Sequence, residues 1–147
     1  MTHTMSGGCQ CGRIRFTARL EHFEAYLCHC RMCQRATGGM AVPYVSLQKD
    51  QRDWHGEPDW YASSPIARRP FCSRCGTPLG TEYPDDDLCD LLLGCFDDPS
   101  PFLCTRHYGV EAIHAHWLDL GHLPRVRSDD DPSLVERWAK YGLKPPE

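Results

Sequence analysis

The chain has 147 residues, enough for a single domain (1–147) with a core of its own. Hydrophobic residues make up 41% and charged residues 24%, the balance of a globular protein, and apolar runs such as Leu91-Leu92-Leu93 are far too short to cross a bilayer, so a soluble protein without a membrane partner is expected. A net charge of -4, with no basic stripe or tail to displace counterions, argues against nucleic acid as a partner.

The chain starts MTHTMSGG, without the basic start, apolar stretch and small-residue cleavage site of a secretory signal, and a cytoplasmic location is expected. Ten cysteines are then the anomaly, because a reducing compartment disfavours disulfides and leaves metal binding or thiol chemistry to account for them.

Residues 13–20 alternate strictly, with Ile14, Phe16, Ala18 and Leu20 on one face and Arg or Thr on the other, which predicts a half-buried strand. Segments 23–28, 41–47, 88–96 and 107–113 are short, apolar or aromatic, and bounded by turn formers, as further strands would be. Residues 48–70, with Trp54, Trp60 and Tyr61, read as a loop or ragged hairpin. The aspartate runs 85–87 and 129–131 read as solvated turns. A helix is predicted only near the C-terminus, at about 132–141, docked through one face. Asp131 caps it, Pro132 suits its first turn, Leu134, Val135, Trp138 and Tyr141 share that face, and Gly142 ends it. The fold class is mainly β with a short C-terminal helix.

The cysteines fall into groups. Cys72-Ser73-Arg74-Cys75-Gly76 has the spacing of a zinc knuckle and supplies half a tetrahedron. Cys9-Gln10-Cys11 has a one-residue gap. In an extended strand its sulfurs would lie about 7 Å apart, whereas thiolates sharing a zinc ion lie about 3.8 Å apart. The chain must therefore bend there, and Gly7, Gly8 and Gly12 offer the freedom to do so. Cys9, Cys11, Cys72 and Cys75 then make a closed, structural site that clips together distant segments.

Cys28, Cys30 and Cys33 crowd three sulfurs into one bend that runs on into Thr37-Gly38-Gly39. A metal held by three protein ligands keeps a fourth position for water or substrate, the mark of a catalytic site. His29, between two of these cysteines, should project away from a shared ion and act outside the ligand set. The alternative is a single zinc on Cys28, Cys33, Cys72 and Cys75, with Cys9, Cys11 and Cys30 as spare thiols, which leaves the one-residue spacing and its glycines without a purpose. Cys89, Cys95 and Cys104 read as small core hydrophobes, and His114 and His116 as the polar face of a strand.

Gly8-Cys9-Gln10-Cys11-Gly12, Cys28-His29-Cys30-Arg31-Met32-Cys33 with Thr37-Gly38, Phe71-Cys72-Ser73-Arg74-Cys75-Gly76-Thr77-Pro78-Leu79 and Asp97-Asp98-Pro99 together closely resemble the glutathione-dependent formaldehyde-activating enzyme family, which includes the centromere protein V group. The resemblance runs from about residue 5 to 125. It implies a β-tent of stacked antiparallel sheets, a structural zinc on Cys9, Cys11, Cys72 and Cys75, and a second, catalytic zinc on Cys28, Cys30 and Cys33. It departs from the family pattern at Phe96, where Leu is usual, and at Thr105-Arg106, where a proline often precedes His107; both departures bear on substrate preference.

The expected activity is that of a carbon–sulfur lyase of the S-(hydroxymethyl)glutathione synthase type, joining a glutathione-like thiol to a formaldehyde-like aldehyde. Three thiolates make a zinc ion a mediocre activator of water but a good resting place for an incoming thiol. Arg31, Arg35 and Arg74 are candidate partners for glutathione carboxylates, against a plain role on the solvated surface. The rival classes are a zinc-stabilised binding module without catalysis, and a thiol redox protein using Cys72 and Cys75.

Overall fold

The computed structural model describes residues 1–146 and divides the chain into two compact units, 1–114 and 115–147. The first is mainly β. Its strands are β1 (His3–Gly8), β2 (Arg15–Leu20), β3 (Glu24–Cys28), β4 (Val42–Gln48), β5 (Arg52–His55), β6 (Asp59–Ala62), β7 (Arg68–Phe71), β8 (Gly80–Glu82), β9 (Leu88–Leu92) and β10 (Leu103–Tyr108), with one helix, α1 (Arg31–Thr37). A three-stranded sheet runs β1-β2-β5, and a seven-stranded sheet runs β10-β3-β4-β9-β8-β7-β6. The strand pairs are antiparallel except one, the parallel pair of β10 with β3.

The alternation in β2 decides where the core lies. Phe16, Ala18 and Leu20 point inward and meet Val45 and Leu47 of β4 and Cys89 and Leu91 of β9. Phe16 lies edge-on to both Trp54 and Phe96, with ring centroids 5.9 and 5.1 Å away, an arrangement that aromatic quadrupoles favour. On the outer side of β2, Arg15 pairs with Asp97, Arg19 with Asp53, and Thr17 hydrogen-bonds His55. Asp97 also accepts from Ser6, so the Asp-Asp-Pro turn is tied to the first two strands. Phe96, where the sequence departs from the family pattern, is buried in this core.

The other face of β4 and β9 carries Val42, Tyr44 and Leu92, which pack against Cys28 and Cys33. A further cluster, Cys9, Ile14, Cys72 and Leu79, lies beneath the two cysteine pairs. On β8, Glu82 is 1% exposed and is bonded by Arg52 at 3.0 Å and by Arg68 at 2.6 Å, so its buried charge is matched.

Several expectations are displaced. Helix α1 stands where only a bend was read, and β1 and β8 were not foreseen. The expected strand 107–113 is β10, which begins earlier and gives way to a 3-10 turn at Val110–Ala112. His114 and His116 therefore lie outside any strand. Cys89 is buried, but Cys95 is only half-buried and Cys104 is exposed on an edge strand, so the core reading fails for Cys104.

In the second unit, α2 (Pro132–Ala139) begins at Asp131, whose carboxylate accepts from the backbone N–H groups of Ser133 and Leu134. It ends at Ala139 with Lys140 as its C-cap, two residues short of the expected end, and Gly142, at φ +68°, lies in the turn beyond it. Leu134 and Trp138 are half-buried, whereas Val135 and Tyr141 are exposed, so the apolar stripe is narrower than expected. No helix among the described residues is long and apolar enough to cross a membrane.

Candidate metal centres

Two turns build the first cluster. In one, the Cys9 N–H donates to the Ile14 carbonyl and the Gly12 N–H to the Cys9 carbonyl; in the other, the Cys72 N–H donates to Thr77 and the Gly76 N–H to Cys72. Each turn needs a left-handed residue, supplied by Gly12 at φ +77° and Gly76 at φ +79°. Gly7 and Gly8 serve differently: a Cβ at Gly7 would fall 2.3 Å from the Cys95 carbonyl oxygen, and one at Gly8 would fall 2.4 Å from that of Ile14. Close approach, not unusual φ, excludes side chains there.

These turns bring Cys9, Cys11, Cys72 and Cys75 together, with their sulfurs all within 4.8 Å of one another. Cys9 and Cys11 are 3.6 Å apart and Cys11 and Cys72 3.7 Å, too far for disulfides but close to the separation of about 3.8 Å for thiolates around one zinc ion. The sulfurs also receive N–H groups, from Ile14 to Cys9 at 3.3 Å and from Arg13 Nε to Cys72 at 3.4 Å. Arg13 in turn pairs with Asp59, whose carboxylate accepts from Ser73 N–H. Thr77 donors hold Cys75 well below the usual thiol range, at about 5, against the opposing effect of burial. The donor set suits a thiophilic ion such as zinc with its coordination filled.

The second cluster is Cys28, Cys30 and Cys33, again with sulfurs within 4.8 Å of one another. Cys28 ends β3, and Cys30 is the N-cap of α1, its sulfur accepting from the Cys33 N–H at 3.4 Å. The helix closes at Gly38, in the left-handed conformation. Buried Gln34 fixes the turn from within, its amide donating to the carbonyls of His29, Met40 and Ala112. Gly109 backs the turn so closely that a Cβ there would lie 2.9 Å from the Cys30 nitrogen.

Two of these thiols are perturbed in opposite directions: Cys33, then burial, pushes the Cys28 thiol up, whereas Cys33 itself is pushed down. The Cys28 thiol beside it is the largest influence; burial opposes, and donors from Tyr44 and Arg69 help hold it down to about 4. Tyr44 Oη lies 3.5 Å from the Cys33 sulfur and Arg69 Nη2 lies 3.4 Å from it. No fourth His, Cys, Asp or Glu joins this cluster among the described residues. Three sulfurs can hold a zinc ion and leave one position for a ligand from outside.

His29 does not join the ligand-capable groups. It is buried, its ring shares a 2.9 Å hydrogen bond with that of His107, and its backbone N–H donates to the Tyr108 carbonyl at 2.8 Å. Burial, then the charges of His107 and His114, push it below its usual pKa. The mixed set of Cys28, Cys33, Cys72 and Cys75 is likewise not assembled among the described residues.

Beside α1 opens a cavity of about 620 Å³ lined by Met32, Arg35, Tyr61, Arg69, Phe71 and Pro78, among others. Of the three arginines read as carboxylate partners, Arg35 lines this cavity, Arg31 is engaged with Gln34 at 2.6 Å, and Arg74 sits exposed in its turn. Sequence reasoning missed Arg69 and Gly109. The one available signal was that Arg69 lies just ahead of Cys72, on the strand face opposite Arg68.

A family model described as glutathione-dependent formaldehyde-activating enzyme matches residues 4–111, a span that holds all seven clustered cysteines. An uncharacterized lyase of Schizosaccharomyces pombe is 32% identical over 77 residues, which are 52% of this chain and 56% of that protein, so the match spans about half the length of the curated relative. A crystal structure of a Rhodobacter sphaeroides protein shares the fold, with a TM-score of 0.55 at 17% identity over 70% of this chain and 99% of the other.

Proposed function

The chain belongs to the glutathione-dependent formaldehyde-activating enzyme family, and from that premise we propose that it joins a glutathione-like thiol to a small aldehyde such as formaldehyde, as a carbon–sulfur lyase does in reverse. The observation that carries this reading is the inequality of the two clusters, four sulfurs in one and three in the other. In this reading Cys9, Cys11, Cys72 and Cys75 hold a structural zinc ion, and Cys28, Cys30 and Cys33 hold a catalytic one. The two sheets then form the β-tent that membership implies, and the ten unpaired cysteines fit a reducing, cytoplasmic setting.

When bound at the triad, zinc supplies Lewis acidity and a place for one sulfur from outside the chain. The protein's part is positional. Cys28, Cys30 and Cys33 fix that place at the N-terminus of α1, with Gln34 and Gly109 holding their turn. The cavity beside α1 receives the body of the thiol substrate, and Arg35 at its wall offers a fork for a carboxylate. Addition forms one carbon–sulfur bond, opens the carbonyl π bond, and leaves the thiol proton on the new hydroxyl oxygen. Holding sulfur and carbonyl carbon in contact supplies much of the acceleration.

Two measurements test this: metal content per chain, and the rate of S-hydroxyalkyl adduct formation followed by NMR. Two equivalents of zinc with acceleration over the uncatalysed reaction are expected. Two equivalents with no acceleration across several thiols would instead leave a zinc-stabilised binding module.

A further inference from the structure

Arg69 is the most heavily buried arginine of the described residues, at 8% exposure, and no carboxylate pairs with it. The contrast with its neighbours is sharp. Arg68 and Arg52 share Glu82, and Arg13, Arg15 and Arg19 each have an aspartate. A guanidinium taken out of water without an anion is strongly destabilising, so a buried arginine implies a negative charge close by. The neighbours of its guanidinium head are the Cys33 sulfur, 3.4 Å from Nη2, and the Tyr44 hydroxyl, 3.2 Å from Nη1; the Tyr44 hydroxyl lies 3.5 Å from the same sulfur. Its Nε is buried without a partner. The three groups close a triangle on one sulfur of the triad.

We propose that Arg69 is the fixed counter-charge of the Cys28–Cys30–Cys33 centre, a positioning residue that makes the three-thiolate site electrically neutral when a divalent ion is bound and so able to accept an anionic sulfur ligand from outside. Three thiolates exceed the charge of a divalent ion by one, and Arg69 makes up the difference. Without it, an arriving thiolate would join a centre already negative; with it, the approach is to a neutral one. Tyr44 keeps the guanidinium in register with the sulfur. Among the described residues the four-sulfur cluster has no comparably buried counter-charge: its arginine, Arg13, stays partly exposed and is shared with Asp59. That agrees with a site that never takes an outside anion.

The inference rests on reading the triad as a metal site, and the test separates the two. Arg69→Gln keeps donors but removes the charge; Arg69→Lys keeps the charge. Zinc is competed from each loaded protein with a chromophoric chelator, and a small thiol is titrated into the cobalt-loaded forms while the sulfur-to-metal charge-transfer bands are followed. The Gln variant should hold the triad metal 10- to 100-fold more weakly, as removal of outer partners does, and take up the thiol more weakly still. The four-sulfur site should be unchanged, and the Lys variant should stay within a few-fold of the wild type. Equal triad affinity and thiol uptake in the Gln variant and the wild type would overturn the counter-charge role while leaving the metal site intact. No metal at the triad of the wild type would overturn both. If Arg69→Gln does not fold, Arg69→Lys decides: tenfold weaker metal at its triad refutes the proposal, and wild-type affinity supports it.

Discussion

Replacing Cys72 by Ser should release the clip between the first turn and the second. The magnitude follows from the chain: Cys11 and Cys72 are separated by 61 positions. A cross-link closing a loop of that length removes about 4 kcal/mol of chain entropy from the unfolded state, and a metal clip acts on the same term. Domains of this kind have about 5–15 kcal/mol of stability in all. With a urea slope of about 1–3 kcal/mol per molar, the unfolding midpoint should fall by about 2 M. Cys30→Ser is the control. The triad closes only a local turn, and a serine hydroxyl can take over the Cys33 N–H as N-cap of α1, a position where serine is favoured. Its midpoint should stay within about 0.5 M of the wild type, with one metal equivalent lost and adduct formation abolished. Urea titrations of both variants, with elemental analysis of the same samples, read the difference. Equal loss of stability from the two substitutions would refute the division into a structural and a reactive site.

Glu82→Gln strands Arg52 in the interior and should destabilise the fold by about 3–5 kcal/mol, read as a lowered thermal midpoint. Gly109→Ala forces a Cβ at φ +67° against the Cys30 turn, and should yield a folded protein whose triad, but not its four-sulfur site, is depleted on elemental analysis. The Asp97 carboxylate, hydrogen-bonded by Arg15 and then by Ser6, is held below its ordinary value of 3.8. Its stabilisation is therefore complete above that value and is lost as pH falls through the lower, folded one. Urea midpoints of wild type and Asp97→Asn should differ at pH 7 and converge at strongly acidic pH.

The strands that alternate were legible because one face of each is buried: β2 from Phe16 to Leu20, and β9 through Cys89 and Leu91. Strand β8 is three residues long, too short for any period, and β1 carries glycines where its close neighbours leave no room for side chains. Helix α1 was hidden because its start and stop signals, Cys30 and Gly38, stand in the sequence as a candidate metal ligand and as part of a turn. The two cysteine sets were readable from spacing because a shared ion would limit how far apart the sulfurs can sit. Arg69 was not, since which of Arg68 and Arg69 faces inward depends on pairing with a strand that sequence could not locate. Cys104 was misjudged because β10 is an edge strand exposed along its whole length.

That edge strand has a bearing on how the protein is made. Parallel pairing of β10 with β3 cannot be reached by a hairpin, so Gly109 and the Tyr108 carbonyl, which seat the Cys30 turn and His29, leave the ribosome long after the sulfurs they support. A nascent chain emerging through Leu79 already holds all seven clustered cysteines, yet the rear wall of one centre is still to be synthesised. On the proposed reading of the triad as a metal site, its seat is complete only once the last strand has docked against β3.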